Sequence, residues 1–270
     1  MKFIKMHGIG NDYVYVDCFK EEIKNPGAIA EIISDRHFGI GSDGLILIKP
    51  SAVADCCMDM YNADGSRGAM CGNGIRCVGK YVYEQKIVEK TEILVETLSG
   101  IKHLKLKVEN GVVTAVTVDM GKPVLESENG KVWETITLPD GQEYEMIVIS
   151  MGNPHTVVFL EDLNNLDIEA LGPKFENHER FPDRVNTEFV QVIDKTHLKM
   201  RVWERGSGET LACGTGACAA AVAAVLAGYT EREVEVGLLG GALFIRWDIP
   251  TGHIEMTGPA TEVYRGEFNV

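Results

Sequence analysis

No stretch of the chain approaches the roughly 18 consecutive apolar residues that a membrane-spanning helix needs, so no membrane partner is expected. The N-terminus, MKFIKMHGIGNDYVYVD, has no signal-peptide core and alternates like a strand. A cytoplasmic location is the expectation. Positive charge is also in short supply: 26 basic residues against 40 acidic ones leave a net charge of −14. That balance argues against nucleic acid and anionic surfaces, which need a positive face. There is no Cys-x-x-Cys, and the seven cysteines (Cys18, Cys56, Cys57, Cys71, Cys77, Cys213 and Cys218) are odd in number. A disulfide framework is therefore not expected in a cytoplasmic chain. Nothing points to a lysine that would carry pyridoxal phosphate.

What is present is an ordinary globular composition, 45% hydrophobic and 24% charged, in 270 residues. That suits one large domain or two of average size, with a real core. Strands are predicted on either side of His7–Asn11, then a helix near Pro26–Asp35, strands at Leu45–Lys49 and Cys56–Tyr61, and a helix at Asn73–Gln85. Ile101–Val108 and Val112–Asp119 alternate around Asn110-Gly111, a hairpin signal. Tyr144–Ser150, Thr156–Leu160, Glu188–Ile193 and His197–Trp203 read as further strands. Asp167–Asn177 and the Ala-rich Gly214–Ala227 read as helices, with three more strands after them. Many strands with few helices predict an α+β architecture.

The chain also repeats itself. At an offset of 142, Asn11 meets Asn153, Tyr61 meets Trp203 and Cys71 meets Cys213; the interval from Asn to Cys is 60 in both halves (71 − 11 and 213 − 153). MCGNGIRC in one half matches ACGTGAC in the other. The expected organisation is two similar domains facing each other, related by a pseudo-twofold axis, each a curved, mostly antiparallel sheet around a central helix. Residues 1–117, completed by a C-terminal strand at 260–270, make the first, and residues 118–259 make the second.

Each half carries Cys-Gly-x-Gly directly before a helix. Glycine permits a tight turn and close approach of a ligand. The N–H groups of a helix start suit a carboxylate, and the same helix end can lower a thiol pKa from about 8.5. One thiolate removing a proton from a carbon, and one thiol returning a proton to its other face, would invert a stereocentre. Three other uses of these thiols compete. They could be buried structural groups. They could bind zinc with Cys77 and Cys218, although the spacings are not the usual Cys-x₂-Cys pairs. They could form a thiol–disulfide couple. Neither glycine motif continues as a Walker sequence or reads GxGxxG after a strand. No cofactor and no metal are expected.

The strings KMHGIGNDYVYVD, DRHFGIGSDG, YNADGSRGAMCGNGIRC, GNPHTVVF, PDRVNTEFV, WERGSGETLACGTGACAAAVAA and GPATEVYRG resemble the diaminopimelate epimerase family over essentially the whole length. The resemblance implies cofactor-free interconversion of LL- and meso-2,6-diaminopimelate, in lysine and peptidoglycan synthesis, by a homodimer. A two-thiol racemase of another amino acid is the alternative. By resemblance, Cys71 and Cys213 are the acid/base pair, and His155 and Glu204 help set their protonation. Backbone groups of Gly72-Asn73 and Gly214-Thr215 hold the reacting carboxylate. Asn11, Asn62, Asn153, Asn186, Glu204 and Arg205 bind substrate, with Arg205 able to fork onto a distal carboxylate, and Tyr264 is a dimer contact. Many members carry a substrate-binding glutamine where this chain has Gly44, so water or Ser42 would have to compensate.

Overall fold

The computed structural model describes residues 1–126 and 130–269. These divide into two compact units, Met1–Asp119 with Thr257–Val270, and Met120–Met256. Residue 270, the end of the expected C-terminal strand, lies outside the described residues.

The first unit opens with the antiparallel pair β1 (Lys2–Gly8) and β2 (Asn11–Asp17). Ile9 and Gly10, both at positive φ, make the turn between them. After α1 (Pro26–Ser34) comes β3 (Gly44–Lys49), parallel to β2, then β4 (Cys56–Asn62), antiparallel to β3, and the short β5 (Arg67–Gly68). The helix α2 (Gly72–Glu84) follows, then β6 (Glu92–Thr97), β7 (Gly100–Glu109) and β8 (Val112–Asp119). β6 runs parallel to β4, and β7–β8 is a hairpin whose turn residues, Asn110 and Gly111, both have positive φ. The sheet is thus mostly antiparallel, with β2–β3 and β4–β6 as its parallel pairs.

The middle strands are buried on both faces, which is why they read as apolar runs. On β2 and β3 the alternation sends Val14, Val16, Leu45 and Leu47 into a cluster with Ala30 and Ile33 of α1. It sends Tyr15 and Ile46 toward α2: the Tyr15 hydroxyl donates to the Gly74 carbonyl at 3.3 Å, and Ile46 lies against Gly74. α2 itself is buried along almost its whole length, so it is a central helix and not a surface one.

The second unit repeats this plan. β9 (Val124–Leu125), β10 (Glu134–Thr137) and β11 (Glu143–Ser150) lead into β12 (Pro154–Phe159), α3 (Ile168–Glu176), β13 (Asn186–Val192), β14 (His197–Glu204) and β15 (Gly208–Glu209). Then come α4 (Gly214–Leu226), β16 (Glu233–Leu238) and β17 (Gly241–Trp247). β12–β13 and β14–β16 are parallel, as β2–β3 and β4–β6 are. α1 and α3, and likewise α2 and α4, are separated by 142 residues at both ends (168 − 26, 176 − 34, 214 − 72, 226 − 84). Phe175 and Phe189 anchor this unit's own core with Leu171, Met146 and Val158. α4 is so rich in alanine that no polar face remains, and it is buried throughout its first ten residues but one, Thr215.

The chain returns through β18 (Ile254–Gly258) to β19 (Thr261–Glu267), which pairs antiparallel with β1. Four strands follow α4, not the predicted three. β6, of sequence EILVET, was not anticipated as a strand.

Candidate active site

In each unit the cysteine of the repeated motif is the N-cap of the central helix, with extended backbone: φ −126°, ψ 119° at Cys71 and φ −117°, ψ 108° at Cys213. The asparagine 60 residues earlier reaches each helix mouth, at the cysteine itself in the first unit and at Thr215 in the second. The Cys71 thiol donates to Asn11 Oδ1 at 3.2 Å, and Gly74 N–H donates to Cys71 Sγ at 3.3 Å. In the second unit Asn153 Nδ2 donates to Thr215 Oγ1 at 3.3 Å, and that hydroxyl lies 3.6 Å from Cys213 Sγ.

The second glycine of each motif serves a purpose the sequence did not reveal. A Cβ at Gly74 would sit 2.7 Å from Ile46 Cδ1, and one at Gly216 would sit 2.5 Å from Glu188 Oε1. Here the glycine admits a side chain of β3 or β13 to the first helical turn; the group that approaches is protein.

Cys71 is bordered by Asn11 and Tyr13. Tyr13 is buried beside it, and burial, then the nearby Cys71 and Asp43, push its phenol well above the ordinary value. Asn11 is held by Asp43, whose Oδ2 accepts from Asn11 Nδ2 at 2.8 Å and from Asp12 N–H at 3.0 Å. Arg36 bridges Asp12 and Asp43 at 2.9 and 2.8 Å, and Lys5 pairs with Asp12. The HGIGND and DRHFGIGSDG strings thus meet in one ionic group. Burial raises the Asp43 pKa, and Asp12 adds to that; Asp12 itself, despite burial, is held low by Arg36 and Lys5. Asn73 is buried, and its Oδ1 accepts from Arg76 Nη2 at 2.9 Å; Arg76, fully buried, also reaches the carbonyls of Gly72 and Pro259. Asn62 donates from Nδ2 to Ser66 Oγ at 3.0 Å.

Gly44 lies beside Tyr13 and Asn62 at φ +155°. A Cβ there would fall 2.1 Å from the Tyr61 carbonyl and 2.9 Å from the Tyr13 ring. The backbone as folded accepts only glycine. Ser42 does not take over as a ligand-facing group: it is buried, and its hydroxyl donates to the Gly44 carbonyl at 3.0 Å and meets Ser34 Oγ at 3.2 Å.

Around Cys213 the neighbours are a histidine and two glutamates. His155 Nδ1 and Glu188 Oε1 are 2.7 Å apart, and both side chains are wholly buried. A ring nitrogen of His155, a carboxylate oxygen of Glu188 and Cys213 Sγ lie within 4.8 Å of one another. Among the described residues no other His/Cys/Asp/Glu group has that metal-like spacing, and neither Cys77 nor Cys218 belongs to it. Glu204 accepts from the Thr210 hydroxyl at 2.5 Å. Burial raises its pKa, against the pull of Thr210 and Cys213. Burial, then the charges of Glu204 and Glu188, push Cys213 well above the ordinary thiol value. The helix end does not prevail there: the expected lowering is reversed, because desolvation disfavours the thiolate more than the helix N–H groups favour it.

Asn186 is buried and spends its amide inside the unit, donating to the Pro154 carbonyl and accepting from Arg205 N–H at 2.9 and 3.0 Å. Arg205 is exposed and tied at Nη1 to the Asp183 carbonyl. A cavity of about 610 Å³ opens there, lined by Asn153, Pro154, Arg180, Arg184 and Arg205. Tyr264 stands apart on β19, packed edge-on against Phe3 with ring centroids 5.8 Å apart. Tyr13, Asp43, Arg76 and Glu188 escaped the sequence reading. Two of them had a signal in the repeat: 142 residues separate Tyr13 from His155 and Ile46 from Glu188.

The fold is shared with solved proteins that are only distantly similar in sequence. A hydroxyproline epimerase of Agrobacterium vitis, solved with trans-4-hydroxy-L-proline, matches with TM-score 0.71 and 15% identity, covering 98% of this chain and 91% of that one. A PhzF-family phenazine biosynthesis protein of Bacillus anthracis matches with TM-score 0.71 and 18% identity, covering 100% and 99%. The chain belongs to the diaminopimelate epimerase family, whose model matches residues 3–126 and 147–263. The diaminopimelate epimerase of Methanococcus maripaludis (strain C5) is 54% identical over the whole of both chains. Among the described residues no helix is long and apolar enough to cross a membrane.

Proposed function

We propose that the chain interconverts LL- and meso-2,6-diaminopimelate without a cofactor, with Cys71 and Cys213 as the proton-transfer pair. The observation that carries this reading is the duplication of one arrangement: a cysteine at the N-cap of a buried helix, with the asparagine 60 residues before it hydrogen-bonded at that helix mouth. Inversion by this route requires the thiols to meet opposite faces of the α-carbon. Cys213 accepts the proton of the LL form and Cys71 donates to the product. Backbone N–H groups at Gly72-Asn73 and Gly214-Thr215 hold the carboxylate of the reacting centre. His155 and Glu204 set the protonation of Cys213. Asn11, Asn62, Asn153 and Asn186 complete the site, Asn186 by fixing the backbone of Pro154 and Arg205.

Arg205 suits the carboxylate at the amino-acid end far from the reacting carbon, which favours diaminopimelate over a smaller substrate. A homodimer through β19, where Val263 and Tyr264 are exposed, and a cytoplasmic role in lysine and peptidoglycan synthesis complete the reading. The test is incubation with LL-diaminopimelate in heavy water under reducing conditions. Deuterium entering the α-carbon with formation of the meso isomer is expected; its absence would overturn the assignment.

A further inference from the structure

We propose that Glu188 is a positioning residue for Cys213: it fixes the ring and the proton of His155, so that the imidazole can take the proton of the Cys213 thiol. This rests on the epimerase reading, in which Cys213 must pass between thiol and thiolate.

Glu188 sits mid-strand in β13 between Thr187 and Phe189, all of them fully buried. An acid there is costly unless its hydrogen bonding is specific. Its Oε1 is 2.7 Å from His155 Nδ1, while Glu188 Oε2 and His155 Nε2 have no hydrogen-bond partner among the described residues. An Nδ1–H donated to a carboxylate leaves the lone pair of the neutral ring on Nε2. The ring is thereby held as a proton acceptor, and Cys213 Sγ lies within 4.8 Å of one of its nitrogens. In the transfer the S–H bond breaks, its electron pair stays on sulfur, and an N–H bond forms on the ring. The Glu188 carboxylate then faces an imidazolium, the partnership that steadies the histidine of a catalytic triad. The other unit serves as a natural control. There the two positions are Tyr13 and Ile46, and the place against the helix mouth that Glu188 fills is filled by a hydrocarbon.

The experiment uses Cys71→Ala protein with a chelator present. Iodoacetamide labelling of the Cys213 peptide is followed by mass spectrometry at about pH 8. Replacing Glu188 by the first unit's residue, Glu188→Ile, is expected to slow labelling roughly tenfold or more. Glu188→Gln, which keeps an acceptor for Nδ1–H without the charge, falls between. A bystander carboxylate predicts the opposite sign, since removing a negative charge beside a forming thiolate speeds labelling. Faster or unchanged labelling in the variants would overturn the proposal. The ¹⁵N spectrum of His155 should show one fixed tautomer in the parent and a mixture in Glu188→Ile; the same spectrum in both would also overturn it. Should Glu188→Ile fail to fold, the Gln variant and the spectrum of the parent decide. Neither readout uses diaminopimelate, so failure of the heavy-water exchange would sink the assigned reaction separately.

Discussion

Cys71 and Cys213 share an N-cap, an asparagine and a glycine two residues into the helix, yet their surroundings differ in kind. Cys71 is partly exposed, hydrogen-bonded to Asn11, and backed by Tyr13 and Ile46. Cys213 is buried among His155, Glu188 and Glu204, and its thiol is pushed up by that burial and by the two carboxylates. A proton-transfer pair cannot work with both members in one protonation state. Duplication supplies two equivalent frames, and divergence at two positions 142 residues apart makes the frames chemically unequal. One half sets an amide and a phenol against its thiol; the other sets an imidazole and two carboxyl groups near its own.

The sharpest way to break this comparison is to remove each thiol in turn. Cys71→Ala and Cys213→Ala should each lower turnover by about 10²–10⁴-fold or more, with circular dichroism unchanged; near-normal rates in either would end the two-thiol mechanism. Next, the paired neighbours should be unequal. His155→Leu is expected to cost about 10²-fold in kcat, while Tyr13→Phe, which keeps the ring and loses one hydroxyl, should cost tenfold at most. Comparable losses would erase the asymmetry. A third contrast is structural: Gly44→Ala should lower stability by about 1–3 kcal/mol through the clash with Tyr61. Its counterpart Asn186→Ala should cost a similar amount by orphaning the Pro154 carbonyl and the Arg205 N–H. Chemical denaturation measures both. The smallest effect concerns pH. A thiol raised in the folded state favours folding below its unfolded value of about 9, and that contribution fades as pH rises beyond it. Wild-type Tm should therefore fall more steeply above about pH 9 than that of Cys213→Ala. Parallel slopes would mean that Cys213 ionises as readily folded as unfolded.

Much of this was written in the chain. The interval of 60 announced the contact of each asparagine with its helix mouth, and Asn110-Gly111 marked the hairpin. The glycine-punctuated starts of α2 and α4 located both cysteines. What stayed hidden depends on burial and on partners distant in sequence. β6 takes its place from a hairpin with β7 and from parallel pairing with β4, and the second of these is encoded by no local pattern. Glu188 reads as an ordinary surface acid until β13 is seen to be buried on both faces. The raised thiol of Cys213 likewise follows from desolvation, a property of the packed unit and not of the motif.

The pairing of β19 with β1 carries a consequence for the nascent chain. The second unit is one unbroken stretch and can close as soon as it has been made. The first unit cannot, because β1 lacks its outer neighbour until Thr261–Glu267 has been synthesised. At about 5–20 residues per second, roughly 10–50 s separate the two strands on the ribosome. Through that interval the half made first keeps a bare strand edge, the kind that recruits stray partners, and it is the half finished last.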